Sequence, residues 1–194
     1  MLFRSGLSQG TVAAAGRSDD TTPTISGTLS APLAAGESVL LYNGSAVLGT
    51  ATVSGQTWSF TPTLPSSVGT TYTLSARVAA TIGLLGAASA TRSFVVDTTA
   101  PTSTASITAL SDNVGLIQGP LADGAATDDT TPTLSGTLAA ALLSGETLRV
   151  FNGATLLGSA TVNNTAKTWS FTPAALAAGS YAFSVAVADA AGNL

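Results

Sequence analysis

The chain carries the same pattern twice. Residues 19–29 read DDTTPTISGTL and residues 128–138 read DDTTPTLSGTL, so Pro23 corresponds to Pro132 at an offset of 109. That offset also carries Tyr42-Asn43-Gly44 onto Phe151-Asn152-Gly153, Leu48-Gly49 onto Leu157-Gly158, and Leu7, Gln9 and Gly10 onto Leu116, Gln118 and Gly119. After a short insertion, Thr57-Trp58-Ser59-Phe60-Thr61-Pro62 meets Thr168-Trp169-Ser170-Phe171-Thr172-Pro173, and after a compensating deletion Tyr72 falls back onto Tyr181. Solenoid repeats run to about 45 residues, so a period of this length is instead that of one independently folding domain. The chain therefore reads as two copies of one module, residues 1–97 and 98–194, with the boundary near Asp97-Thr98-Thr99-Ala100-Pro101.

Comparing the copies separates inside from outside. Residues 38–42 read SVLLY and residues 147–151 read TLRVF. Leu40 is replaced by Arg149, so that position faces water. Its neighbours Val39 and Leu41, and Leu148 and Val150, then face the core with the period of two expected of a strand. Asn43-Gly44 and Asn152-Gly153 follow at once and mark hairpin turns, with two residues at positive φ. Ala46–Val53 and Thr155–Val162 are the returning arms. Trp58 with Phe60, and Trp169 with Phe171, share a face and are the largest core candidates. Pro62 and Pro173 end that strand, because proline cannot donate to the ladder. Tyr72, Leu74, Ala76 and Val78 alternate in register with Tyr181, Phe183, Val185 and Val187, and Phe94 and Val96 close the first unit. The alanine-rich stretches 31–36 and 138–143 read as loop or at most one helical turn, since strands flank them closely. About seven short strands per unit, separated by turn signals, predict an all-β fold of two tandem antiparallel β-sandwiches. The second unit has no counterpart of Ala88–Val96 and reads as a sandwich lacking its last strand, cut from a longer array.

Composition removes several function classes. Only 8% of residues are charged, the net charge is −4, and the six Lys and Arg are scattered. Binding to nucleic acid, or to an anionic membrane surface, needs clustered cations, so neither partner is expected. No apolar run reaches the length of a membrane span, and residues 1–10 lack the apolar core of a signal peptide, so the export signal is expected outside this chain. Without histidine or cysteine, no Ser-His-Asp triad, histidine metal site or cysteine nucleophile can be built. Glu37 and Glu146 are repeat-equivalent residues just before a strand, better read as duplicated surface positions than as a glycosidase pair. The expectation is a protein that is not an enzyme.

VDTTAPT (96–102), SDNVG (111–115), DDTTPTLSGTL (128–138), TWSFTP (168–173) and VADAAGN (187–193) together resemble the bacterial immunoglobulin-like repeats of giant surface adhesins and biofilm-associated proteins. The likeness covers nearly the whole chain. It implies an immunoglobulin-like or cadherin-like sandwich, an extracellular location on the bacterial cell surface, neighbouring immunoglobulin-like repeats as partners, and calcium between consecutive domains.

Acidic residues are few, so their positions carry information. In such a sandwich the loop before the last strand and the loop between the first two strands lie at opposite ends. Asp97, Asp189, Asp19 and Asp20 would then converge on the junction between the two units, while Asp128 and Asp129 would face a further domain and Asp112 sits in the SDNVG turn. Calcium takes six to eight oxygens, mostly carboxylate and carbonyl, and is the cofactor the resemblance implies at such sites. The competing reading is that Asp before Thr-Thr-Pro or Ala-Ala-Gly caps backbone amides in a turn. The first unit departs from the pattern, with Ala80, Leu84 and Phe3 where the second has Asp189, Asn193 and Asp112.

Three functions compete: a stalk or spacer of a surface adhesin, a module binding a host or matrix surface ligand such as a glycan or protein, and an accessory domain of a secreted enzyme. A glycan binder would present Trp or Tyr on an outer face. Trp58 and Trp169 instead share a core position with Phe two residues on, which favours the spacer.

Overall fold

Short strands dominate because Gly, Pro and Asn interrupt every apolar run before it reaches helical length. The computed structural model describes residues 2–3, 10–65, 69–116 and 118–194; the repeat matches at Leu7 and Gln9 fall outside these. Every regular element among the described residues is a strand. The chain divides into two units, Met1–Thr99 with Ala190–Asn193, and Ala100–Asp189 with Leu194. The main boundary thus lies two residues beyond the expected 97/98.

The first unit contains β1 (Leu2–Phe3), β2 (Gly10–Thr11), β3 (Arg17–Ser18), β4 (Ile25–Thr28), β5 (Ser38–Asn43), β6 (Ala46–Thr50), β7 (Thr52–Ser54), β8 (Thr57–Phe60), β9 (Thr70–Ala79) and β10 (Arg92–Val96). One sheet runs β3-β10-β9-β5-β6 and the other β4-β8-β7. All pairings are antiparallel except that of β3 with β10, which is parallel. Between the sheets lie Ile25 of β4, Val39 and Leu41 of β5, Tyr72 and Leu74 of β9, and Phe94 and Val96 of β10. These are the inward residues of each alternation. Fully burying such a side chain stabilises the fold by about 1.5–3 kcal/mol.

The second unit contains β11 (Ala105–Asp112), β12 (Gly119–Pro120), β13 (Thr133–Leu138), β14 (Thr147–Asn152), β15 (Thr155–Ser159), β16 (Thr161–Asn163), β17 (Thr168–Phe171) and β18 (Phe183–Ala188). Its sheets run β12-β11-β13-β17-β16 and β15-β14-β18, around Leu134, Leu138, Leu148, Val150, Trp169 and Val187. The repeat extends to register. Leu2↔Thr11 and Phe3↔Gly10 correspond residue by residue to Ser111↔Pro120 and Asp112↔Gly119, and the bulge between Leu41 and Tyr42 recurs between Val150 and Phe151. The difference is at the edges. In the second unit β11 covers the outer edge of β13, whereas among the described residues β4 pairs with β8 alone and β18 with β14 alone.

Three local expectations are refined. Each returning arm is two strands in different sheets, because Ala51 and Ala160 mark the crossing: the Ala51 amide donates to the Val39 carbonyl at 2.8 Å, and the Ala160 amide to the Leu148 carbonyl at 2.8 Å. In the Asn-Gly turns only glycine adopts positive φ, +58° at Gly44 and +55° at Gly153. The asparagines stay in their strands and reach sideways: Asn43 Oδ1 accepts from the Thr73 amide and Asn152 Oδ1 from the Ala182 amide, both at 2.9 Å. The alanine-rich stretches are turns, closed by Glu37 on the Ala34 amide and Glu146 on the Leu143 amide, each at 2.8 Å. That is the role of the duplicated glutamates.

Candidate functional site

The repeated motif Asp-Asp-Thr-Thr-Pro builds the same turn in both units. Asp20 Oδ1 accepts from the Thr22 amide at 2.8 Å and from its hydroxyl at 3.2 Å; Asp129 Oδ1 accepts from the Thr131 amide at 2.7 Å and from its hydroxyl at 3.2 Å. A short side chain two residues before the amide it caps is an Asx turn. Upstream, the Ser18 hydroxyl accepts from the Asp20 amide and the Thr127 hydroxyl from the Asp129 amide. Asp20 and Asp129 are buried, and the amides that surround them replace water.

The second unit adds contacts to this frame. Asp129 Oδ2 also accepts from the Asn113 amide, while Asp112 accepts from the Val114 amide and from the Thr127 hydroxyl. The Thr131 amide, foremost, holds the Asp129 carboxyl below the usual aspartate range; burial opposes this in part, and the Asn113 amide and Thr131 hydroxyl reinforce it. Asp128 is exposed, and its carboxylate lies where a Cβ on Gly115 would stand.

In the first unit Asp97 directly follows β10. Its Oδ2 pairs with Arg17 Nη1 at 2.8 Å and its Oδ1 accepts from the Thr99 amide at 3.2 Å. The register explains the ion pair. Val95 stands beside Arg17 in the parallel β3–β10 pairing, and Asp97, two residues further on, points to the same side as Val95. Asp19 is half-buried in the same unit, and Asp189 lies half-buried in the second, just past β18.

These contacts are a test of calcium. The ion needs several carboxylate and carbonyl oxygens aimed at one point. Among the described residues no group of three or more acidic side chains gathers in that way. Asp20, Asp97, Asp112 and Asp129 spend carboxylate oxygens on backbone amides, hydroxyls or Arg17. Turn capping, with the Arg17 pair at Asp97, accounts for the geometry of these four carboxylates.

Two hollows lie on the outer faces of β4-β8-β7 and β13-β17-β16. The larger, about 780 Å³, is lined by Ser135, Thr137, Thr161, Asn163, Thr168 and Ser170 among others; the smaller, about 420 Å³, by the repeat-equivalent Ser26, Thr28, Thr52, Ser54, Thr57 and Ser59. Cross-strand pairing sets these side chains in transverse rows, Ser26–Ser59–Thr52 and Thr28–Thr57–Ser54. The polar groups of these linings are hydroxyls and amides, without a charged side chain. Trp58 and Trp169 form the floors of these hollows from within: Trp169 is 3% exposed and Trp58 half-buried, both packed on their cores. The strongly exposed large apolar residues among those described are aliphatic, such as Ile82, Leu84 and Leu143. No described helix is long and apolar enough to cross a membrane.

A two-sheet sandwich of short, mostly antiparallel strands, with β3 running parallel to the closing strand β10 and a hydrogen-bonded tyrosine at the corner (Tyr72 hydroxyl to the Pro65 carbonyl, 2.6 Å), has the features of the immunoglobulin-like class. Residues 104–194 match the model of the bacterial Ig-like domain family. Among solved structures, the chain is similar to the fibronectin(III)-like modules of Clostridium thermocellum CbhA, with a TM-score of 0.52 and 17% identity, over 93% of this chain and 84% of that one. At that identity the likeness establishes the fold. Comparison with curated protein sequences finds no match.

Proposed function

We propose that the chain is a non-enzymatic spacer segment of a bacterial surface adhesin, held outside the cell between neighbouring immunoglobulin-like repeats. The observation that supports this most is the recurrence of one strand pattern in both units, β4–β9 matched by β13–β18 down to strand register, with the largest aromatic side chains of both copies spent on the cores. Such an array transmits force and adds length. The uncharged Ser and Thr faces fit a surface that resists adhering to its surroundings.

The competing functions are a module binding a glycan or protein ligand and an accessory domain of a secreted enzyme. Single-molecule stretching of the chain separates the readings when combined with a glycan-array screen. A spacer gives two unfolding events of similar size, each releasing on the order of 300 Å of chain at about 3.5 Å per residue, and no saturable glycan binding. Saturable binding that is lost when Thr137 and Thr168 are replaced by bulky residues would overturn the spacer in favour of a ligand module. Calcium stiffening, which the family resemblance implies, enters the same experiment as an added arm: stiffening predicts higher unfolding forces with calcium than with chelator.

A further inference from the structure

We propose that Arg17 is the built-in cation of the first unit: its guanidinium neutralises Asp97, and this end of the sandwich is held by an internal ion pair rather than by a metal ion. The pair joins residues 80 apart in sequence at 2.8 Å, with the Arg17 side chain 46% and the Asp97 side chain 12% exposed. The carboxylate is therefore mostly desolvated, while the guanidinium reaches it from the solvent side.

Two further observations bear on the assignment. Parallel pairing with β10 brings Arg17 to Asp97, and that pairing has just two registered residue pairs, Val95↔Arg17 and Val96↔Ser18. Backbone hydrogen bonds from the Ala15 amide to the Ser93 carbonyl, from the Val95 amide to the Gly16 carbonyl and from the Asp97 amide to the Ser18 carbonyl line this edge, and the ion pair adds a side-chain contact where that ladder ends. The repeat also marks Arg17 as particular to this unit, since the aligned position in the second copy is Ala126 while Ser18, Asp19 and Asp20 are matched by Thr127, Asp128 and Asp129. A metal ion binding Asp97 through Oδ2 would have to compete with a guanidinium already in contact with that oxygen.

The test is thermal unfolding of the full chain with about 5 mM calcium or excess chelator, combined with hydrogen exchange over residues 92–99. The expected result is a wild-type melt that does not move between the two conditions. Arg17→Gln should lower the first unit's transition by about 2–5 °C and speed exchange in that segment. Arg17→Lys should recover part of the loss, and Arg17→Gln with Asp97→Asn should melt no lower than Arg17→Gln alone. The wild-type margin over Arg17→Gln should also shrink as salt is raised to about 0.5 M, because partly exposed charges are screened. A wild-type transition raised several degrees by calcium would overturn the proposal, and so would an Arg17→Gln variant that melts and exchanges as the wild type does. Neither outcome touches the spacer reading, which is judged by stretching and ligand binding.

Discussion

The indole of Trp169 occupies the space that a side chain at Gly136 would need: a Cβ there would lie 2.7 Å from the ring. The two residues pair across β13 and β17, and Trp169 Nε1 donates past the glycine to the Ser106 carbonyl of β11 at 3.2 Å. The relationship recurs in the first unit, where Gly27 pairs with Trp58 and a Cβ would lie 2.5 Å from that ring. It recurs again one layer along, with Phe60 over Gly49 and Phe171 over Gly158. Each of these four glycines is the seat of a repeated aromatic, which explains why the Ser-Gly-Thr and Thr-Trp-Ser-Phe motifs travel together between the copies.

Gly136→Ala should cost more than Gly27→Ala. At Gly136 the new methyl meets the backbone carbonyl of Ser106 as well as Trp169, and a paired strand cannot easily move aside. At Gly27 its close neighbours are atoms of the half-buried Trp58 ring. Overpacking of this kind costs about 1–3 kcal/mol, and each kcal/mol lowers the melting temperature of a domain this size by about 4–8 °C. Calorimetry of the two variants checks the order, and equal shifts would count against the role of β11.

The two tryptophans should be optically distinct. Trp169 is buried and hydrogen-bonded, whereas Trp58 is half-buried. A Trp169→Phe chain, reporting Trp58, should emit further to the red and be quenched faster by acrylamide than a Trp58→Phe chain. Truncating the buried ring, Trp169→Ala, should destabilise the second unit by about 3–5 kcal/mol; chemical denaturation followed by circular dichroism measures this.

Acid should weaken the second unit partly through Asp129. Its folded carboxyl titrates below the ordinary range, chiefly because it accepts from the Thr131 amide. A lowered folded pKa means a contribution present above the unfolded pKa and lost as pH falls through the folded one. Between about pH 5 and pH 2 the wild-type melting temperature should therefore drop more steeply than that of Asp129→Asn. Parallel curves would show that the carboxylate contributes nothing to acid stability.

Asn43→Ala should release the Thr73 amide from its side-chain acceptor at a cost of about 1 kcal/mol. The local signature is faster hydrogen exchange at Thr73. Asn152→Ala should do the same at Ala182.

Much of this architecture was legible without coordinates. Alternation within each apolar run, checked by the Leu40/Arg149 exchange, placed Val39, Leu41, Leu148 and Val150 inside, and all four are buried. The proline after Thr-Trp-Ser-Phe-Thr ended β8 and β17, and the duplicated tyrosine, tryptophan and glycine positions marked the two sandwiches. The acidic positions could be read as turn residues, yet which amide each would cap, and that Asp97 would find Arg17, could not.

What the sequence by itself determined is whatever depends on neighbours along the chain: strand periodicity, the glycines at tight turns, and the Asp-Thr-Thr capping geometry, whose donor and acceptor sit two residues apart. What the tertiary structure decided is whatever depends on which strand lies alongside. Ala51 and Ala160 switch sheets without disturbing the period of two, Asn43 turns sideways because β9 flanks β5, and Arg17 meets Asp97 because β3 runs parallel to β10. Backbone propensity acts over a few residues, whereas a lateral partner is selected by packing across the whole core, so residues 80 apart carry no local sign of each other.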